Sequence, residues 1–366
     1  VEAAIAQMRK LPYYHSFAHK SHNPAIDLAE KLVQMAPVPM SKVFFTNSGS
    51  EANDTVVKLL WYRANALGQP ERKKIISRMR GYHGITVASG SLTGLPYNHR
   101  SFDLPLPGFV HLTCPHFYRD AGPDESEAEF VARLAAELEE TIAREGAETI
   151  AGFIGEPLMG AGGVVVPPDG YWAAIQEVLR RHDIPLVADE VICGFGRTGR
   201  MFGCETFGIT PDIMVLSKQL SSSYMPIAAV VVNDRIFDPI ADETAHIGTF
   251  GHGFTGSGHP VAAAVALENL KIIEERDLVG QAARVGAHLQ RRLRELAPLP
   301  LVGEVRGVGM IGAVELVADK AAKTPHGSVG TLGAQANARM QERGVLVRAL
   351  GDTLAVCPPL IAQESD

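Results

Sequence analysis

Three short stretches carry residues whose types and spacing could do chemistry. Lys218 follows the apolar run Ile213–Leu216 and is the only Lys or Arg between Met201 and Asp234. Lysine is seldom buried without a partner, so it is either exposed at a sheet edge or a desolvated amine. Desolvation lowers an ammonium pKa and makes the amine a nucleophile suited to Schiff-base chemistry. Asp189, in Val187-Ala188-Asp189-Glu190-Val191-Ile192, ends a run that reads as a central, buried strand. An unpaired buried charge is costly, so a carboxylate there needs a cation or several donors. Open α/β sheets hold their ligands at the carboxyl ends of strands. A structural salt bridge is the alternative reading. Ser48, Gly49 and Ser50, in Thr46-Asn47-Ser48-Gly49-Ser50-Glu51, lie between a strand and a helix. Small, hydroxylated residues there leave backbone N–H groups free to hold an anion, helped by the helix dipole. The same residues also make an ordinary N-cap.

Two glycine patterns, Gly194-Phe195-Gly196-Arg197-Thr198-Gly199 and Gly307-Val308-Gly309-Met310-Ile311-Gly312, fit GxGxxG but lack its setting. A dinucleotide fingerprint needs a strand before it and a helix directly after. Met201-Phe202-Gly203 has no helical period, and Ala313–Leu316 reads as a strand, so both patterns are expected to be turns. The 13 histidines include no HExxH pair, and His15, His19 and His22 lack a carboxylate or cysteine partner. No metal site is expected.

The elements that must position Lys218, Asp189 and the serines alternate along the chain. Strands are expected at Lys42–Asn47, Lys74–Arg80, Phe109–Cys114, Ile150–Gly155, Ile184–Ile192, Ile213–Ser217 and Ile227–Asn233. Helices are expected between them, notably Glu51–Leu67, Ser126–Glu145 and Gly170–Arg181. In the second, Phe130, Leu134, Leu138 and Ile142 recur every four residues, which makes one buried stripe. Alternating β and α with nearly continuous apolar strands means a mostly parallel sheet covered on both faces. From His259 onward, helices at Pro260–Glu275, Leu278–Leu296 and Leu332–Arg343 accompany short strands at Glu304–Arg306, Met310–Leu316, Val345–Arg348 and Leu354–Cys357. This region reads as a smaller α/β domain.

The chain has 366 residues, 46% of them hydrophobic, which suggests about two or three domains with sizeable cores. A balance of 34 basic against 41 acidic residues, net −7, argues against nucleic-acid binding, which needs clustered cations. The longest aliphatic run, Ile227–Val232, is far too short to cross a bilayer. Four dispersed cysteines without a CxxC pair point to a reducing compartment, read as the cytoplasm. The first residue is Val1, and no signal-peptide pattern follows it.

Several motifs, taken in order, resemble the class III aminotransferases. They are Asn47-Ser48-Gly49-Ser50-Glu51-Ala52, Gly81-Tyr82-His83-Gly84, Gly155-Glu156-Pro157 with Gly160-Ala161-Gly162-Gly163, Ala188-Asp189-Glu190-Val191, Ser217-Lys218 and Ser257-Gly258-His259-Pro260. This family is the ω-amino acid and amine:pyruvate branch of the fold-type I pyridoxal phosphate enzymes, and the resemblance spans essentially the whole chain. It implies a large cofactor-binding domain over residues 1–258, with a mostly parallel seven-stranded sheet, and a smaller α/β domain over 259–366. It also implies that an N-terminal segment and a C-terminal helix are missing from this chain.

By the same resemblance, Lys218 forms the internal aldimine with pyridoxal 5'-phosphate and, once displaced, serves as base and acid for the 1,3-proton shift. Asp189 pairs with the pyridine nitrogen and keeps it protonated. Tyr82 stacks on one ring face, with Val191 or Ile192 against the other. Gly49 and Ser50, with Ser48 beside them, hold the phosphate, and Glu156 and His83 orient these groups. Phe254 and Thr255 match a stretch that reaches the neighbouring subunit's phosphate, which implies a homodimer with shared active sites. Arg348, in Val347-Arg348-Ala349-Leu350-Gly351-Asp352, matches the arginine that binds a keto acid's α-carboxylate bidentately. Phe17, Tyr82, Ala161, Ile192 and Arg348 are the expected substrate-facing residues. Relatives often carry adjacent aromatics where this chain has Phe17-Ala18, and an aromatic where it has Gly256, so the pocket is roomier or filled from elsewhere.

The activity so implied moves an amino group from a primary amine or ω-amino acid to a keto acid, with pyruvate the expected acceptor. The cofactor alternates with pyridoxamine 5'-phosphate in a ping-pong cycle. An aminomutase or a decarboxylating transaminase would use the same Lys218 and Asp189. A non-catalytic nucleotide-binding protein on a Rossmann-like sheet is the rival from another class.

Overall fold

The structure, a computed structural model, describes residues 1–366. Its larger sheet has seven strands: β1 (Lys42–Thr46), β2 (Lys74–Arg78), β3 (Phe109–Leu112), β4 (Ile150–Gly155), β5 (Leu186–Asp189), β6 (Ile213–Leu216) and β7 (Ala228–Val232). Their order is β1-β7-β6-β5-β4-β2-β3. β3, β2, β4, β5 and β6 pair in parallel, and β7 runs antiparallel between β6 and β1. This is the mostly parallel seven-stranded sheet expected of a fold-type I enzyme. Each strand lies within the stretch its apolar run marked out.

Consecutive side chains of a strand point to opposite faces, so a strand covered on both sides must be apolar throughout. β4, β5, β6 and β7 are buried at every residue. Ile76, Phe153, Ala188 and Met214 join the core that includes the helices Glu127–Glu145, Tyr171–Arg181 and Pro260–Glu275. Their neighbours Ile75, Ile154, Val187 and Val215 join the opposite core, against the helices Gly49–Ala66 and Asp234–Ile247.

The second sheet is antiparallel, with the order β10-β11-β9-β8. Its strands are β8 (Val302–Val308), β9 (Ile311–Leu316), β10 (Arg348–Leu350) and β11 (Thr353–Val356). β10 begins where the expected Val345–Arg348 strand was to end. Leu350 pairs with Thr353 around a two-residue turn whose Gly351 has φ +61°, and that register is what sets the strand's start. Leu346 is left 83% exposed. The first GxGxxG stretch is a run of turns, whereas the second is the tip of the β8–β9 hairpin, with only Gly309 and Met310 in the turn. Neither opens a helix, and they pack on each other, with Met310 N–H donating to Arg197 O at 2.9 Å. No helix is long and apolar enough to cross a membrane.

Candidate active site

The carboxyl ends of β1, β2, β4, β5 and β6 converge on a cavity of about 370 Å³. Ser48, Gly49 and Ser50 reach it from the turn after β1, Tyr82 and His83 from the loop after β2, and Glu156 from the end of β4. Asp189, Val191 and Ile192 come from the end of β5, and Lys218 from the residues just after β6. A second cavity, of about 440 Å³, shares Val191, Ile192 and Lys218 with the first and adds Ala161 and Arg348. Phe17 and Phe254 line a different hollow, of about 720 Å³, with Phe44 and His252. Thr255 is exposed, and its carbonyl accepts the Tyr13 hydroxyl at 2.9 Å. Within one chain, then, Phe17, Phe254 and Thr255 are not brought to Lys218.

Asp189 is almost fully buried and is held by three donors. Its Oδ2 meets His83 Nδ1 at 2.8 Å and accepts the Asn53 amide at 2.9 Å, while Oδ1 accepts the Val191 N–H at 3.2 Å. Burial alone would raise the carboxyl's pKa. The His83 ring and the Asn53 and Val191 donors outweigh it, and the net shift is downward. An ionised carboxylate is therefore presented to the cavity.

Lys218 stands on strained backbone, with φ at +42°, a region that side chains with a Cβ seldom occupy. Its side chain is open to the cavity but ringed by protein. Desolvation pulls the ammonium pKa down, and the charges of Asp189 and Glu156 only partly restore it. Glu156 is buried, and its two oxygens accept the N–H groups of Tyr82, at 3.0 Å, and Gly160, at 2.9 Å. Burial raises its pKa against those bonds. Its geometry ties the Tyr82 loop to the loop carrying Ala161. Burial likewise raises the Tyr82 hydroxyl, opposed mainly by the nearby charge of Arg348.

At the other end of the cavity starts the 18-residue helix Gly49–Ala66. Ser48 caps it, its side chain accepting Glu51 N–H at 3.2 Å. The N–H groups of Gly49 and Ser50 cannot be satisfied within the helix. A Cβ on Gly49 would come within 3.4 Å of Val191 Cγ2, so the helix start packs directly on the side chain that floors the cavity. The cavity thus offers an anion seat, an amine and a buried carboxylate, with an aromatic ring and an aliphatic side chain on its walls. That set fits a flat, phosphorylated aromatic cofactor with a basic ring nitrogen and an aldehyde.

Residues 1–366 match the family model described as aminotransferase class-III. The chain belongs to the class III aminotransferases. It is 50% identical, over 99% of its length and 70% of the relative's, to gamma aminobutyrate transaminase 3, chloroplastic, of Solanum lycopersicum. It is 49% identical to vanillin aminotransferase of Capsicum frutescens, over 98% of this chain and 78% of that one. Among solved structures, one described as a transaminase with L-ala is 68% identical, with a TM-score of 0.99, all of this chain covered and 86% of that one. The omega transaminase of Pseudomonas jessenii in complex with PMP is 65% identical, with a TM-score of 0.99, all of this chain covered and 80% of that one. The protein is thus a fold-type I transaminase, an enzyme of the EC 2.6.1 type, and its cofactor is pyridoxal 5'-phosphate.

Asn53, which lines this aminotransferase's cavity, and Arg78, buried behind it, escaped the sequence reading. Asn53 donates to both His83 O, at 2.7 Å, and Asp189 Oδ2, and so joins the Tyr82 loop to β5. It sits one helical turn after Gly49, a spacing that places it on the cavity face once the helix is known to begin at Gly49. Arg78, fully buried at the end of β2, donates to Glu156 O at 2.6 Å and lies 4.9 Å from the centre of the Trp172 ring. Nothing in its sequence setting marks that contact.

Proposed function

We propose that this aminotransferase moves an amino group from a primary amine or ω-amino acid to a keto acid, with pyruvate as acceptor, in two half-reactions at Lys218. The observation that carries the reading is the joining of two cavities at Lys218. One holds Asp189 and the Gly49 helix, and the other holds Arg348 and Ala161. The relatives named for gamma-aminobutyrate and vanillin, and the structure described with L-ala, support this donor and acceptor range.

When bound, the cofactor supplies an electron sink that stabilises a carbanion at the donor carbon. The chain's residues do the rest. The Lys218 amine, its pKa drawn down by desolvation, is placed to take the proton from that carbon and return it. Asp189, held ionised by His83 and Asn53, is the acceptor for a ring N–H. The helix start at Ser48, Gly49 and Ser50 holds the phosphate. Tyr82 and Val191 confine the ring from its two faces, with Ile192 beside Val191 on the substrate side. Arg348 receives the acceptor's carboxylate with its planar fork and swings aside for an amine that has none. Ala161 leaves the opposite wall short.

We assign residues 1–258 to a large domain and 259–366 to a small one, because the two sheets divide between them. The chain acts as a homodimer, a reading supported by the placement of Phe17, Phe254 and Thr255 away from their own cavity. A reducing compartment such as the cytoplasm is supported by four unpaired cysteines.

The test is a visible absorption spectrum with added pyridoxal phosphate, then an amine donor, then pyruvate, with Lys218→Ala as control. The expected result is a yellow band that bleaches with amine and returns with pyruvate, and that Lys218→Ala does not form. A band that ignores every amine sinks the transaminase half-reactions and favours an aminomutase or decarboxylating enzyme.

A further inference from the structure

A charged cluster lies behind the substrate wall, where the four-stranded sheet meets the larger one. Arg306, on β8, is its centre, and its side chain is only 7% exposed. Nε donates to Gly163 O at 3.1 Å and Val164 O at 3.0 Å, and Nη2 donates to Gly163 O at 2.6 Å. Nη1 donates to Glu315 at 2.6 Å and also to Glu304. Nη2 further reaches Thr353 Oγ1 at 3.5 Å. Each guanidinium nitrogen therefore has a partner, a pattern that a lysine cannot reproduce.

The cluster extends to the cavity's other wall. His116 Nε2 meets Glu304 at 2.9 Å, and Arg80 Nη1 meets His116 Nδ1 at 2.8 Å. Arginine only donates, so His116 Nδ1 is the acceptor and Nε2 carries the proton toward Glu304. Arg80 directly precedes Gly81-Tyr82. A Cβ on Gly162 would fall 2.2 Å from Arg80 O, so the loop carrying Ala161 is pressed between the Arg80 backbone and the Arg306 fork. His116, Glu304 and Glu315 lie close enough to hold a metal ion, but Arg119 and Arg306 occupy the carboxylates instead.

The register of the small sheet supplies the link to the substrate. Arg306 is opposite Ala313, Ala313 opposite Ala355, and Ala355 opposite Arg348. Residues directly opposite across paired strands project from the same face. Arg306 and Arg348 are thus the two ends of one transverse row, separated by two alanines, with about 4.8 Å per strand. The fork of Arg306 fastens one end of that row to the substrate wall, and the other end carries the guanidinium that faces the cavity.

We propose that Arg306 is a positioning residue: by clasping Gly163 and Val164 it sets the four-stranded sheet, and through it Arg348, at the distance from Lys218 that an acceptor's carboxylate requires. The inference rests on the proposed role of Arg348. It predicts that loosening the clasp harms acceptors with a carboxylate and spares those without one.

The experiment compares wild type, Arg306→Lys, Arg348→Ala and the double variant, all loaded with cofactor. Each is assayed with one amine donor against pyruvate and against propanal. Arg306→Lys is expected to raise the KM for pyruvate by about 10- to 100-fold, the scale of an ångström-sized misplacement, with the propanal kinetics nearly unchanged. In the Arg348→Ala background the same substitution should add nothing, because the two act as one unit. Thr353→Val, which removes only the longest contact, should shift the pyruvate KM in the same direction by less, and it keeps the test open if Arg306→Lys folds poorly. Equal losses with both acceptors, or additive effects in the double variant, would overturn the positioning role alone. An Arg348→Ala enzyme with unchanged pyruvate KM would overturn the reading of Arg348 itself, and this inference with it.

Discussion

At the scale of single residues, the packing around an ionisable group decides which way its protonation leans. Asp189 stays ionised because His83 and Asn53 both turn donors on its Oδ2. A hydrogen bond to a charged group is worth about 1.5–3 kcal/mol, so Asp189→Asn should lower turnover roughly 10- to 100-fold while the chain still folds. Asn53→Ala should lower it less, and the two changes together should fall short of the sum, since both act on one carboxylate. Full additivity in steady-state rates would show that Asn53 does not act through Asp189. His252 is held in the opposite way. Lys58 Nζ meets its Nδ1 at 2.9 Å, Thr55 Oγ1 meets its Nε2 at 2.9 Å, and the ring stacks on Phe44. An ammonium can only donate, so the imidazole is neutral, and burial followed by the Lys58 charge lowers its pKa to about 4. The unfolded chain, with an ordinary histidine near 6.5, binds more protons between those values. The stability from neutral His252 is therefore complete above pH 6.5 and is lost as pH falls toward 4. Denaturant midpoints across that window should fall more steeply for wild type than for His252→Gln, whose amide can replace both contacts without titrating. Parallel curves would remove His252 from the acid limb.

At the scale of elements, the site is assembled by turns that let separate pieces approach more closely than side chains allow. Gly84, at φ +133°, lets the loop after β2 dock on the helix start: a Cβ there would lie 2.3 Å from Ser89 Oγ and 2.7 Å from Ser50 Oγ. Gly84→Ala must therefore strain the backbone and push Ser50 away from the seat it helps form. The expected outcome is a cofactor dissociation constant raised about tenfold, read by dialysis and absorbance. Unchanged retention would mean that the helix start holds its place without this loop. The seven strands of the large sheet were legible because a strand buried on both faces leaves an apolar run, and β4 to β7 are such strands. The helix Asp234–Ile247 was hidden by an internal Pro239, and Asn53 by a helix start read as Glu51 rather than Gly49. The row from Arg306 to Arg348 could not be read from the chain at all. It depends on three strand registers, and register is decided by packing and by the Gly351 turn, not by local composition.

At the scale of the whole molecule, the residues that stay away from the cavity carry the sharpest consequence. Phe254 and Thr255 match a phosphate-reaching stretch, yet in one chain they sit on a separate surface hollow or in solvent. Phe17 lies in that same hollow and is 44% exposed, beside the exposed rings of Tyr13 and Tyr14. A two-fold arrangement resolves this, because an isologous interface presents each copy's stretch to its partner's cavity. On the proposed dimer, each complete site would draw Lys218 from one subunit and Phe254 and Thr255 from the other. Lys218→Ala and a Phe254→Ala/Thr255→Ala double variant should each be nearly inactive as homodimers. Mixed, unfolded and refolded together in equal amounts, about half of the dimers are hybrids under random pairing. In each hybrid one site collects both defects and the other none, so the mixture should recover about a quarter of wild-type activity. Recovery at that level requires shared sites, since no single chain in the mixture carries an intact set. Absence of recovery, with hybrids verified by mass, would mean that Phe254 and Thr255 act within their own subunit and leave each subunit's cavity to work alone.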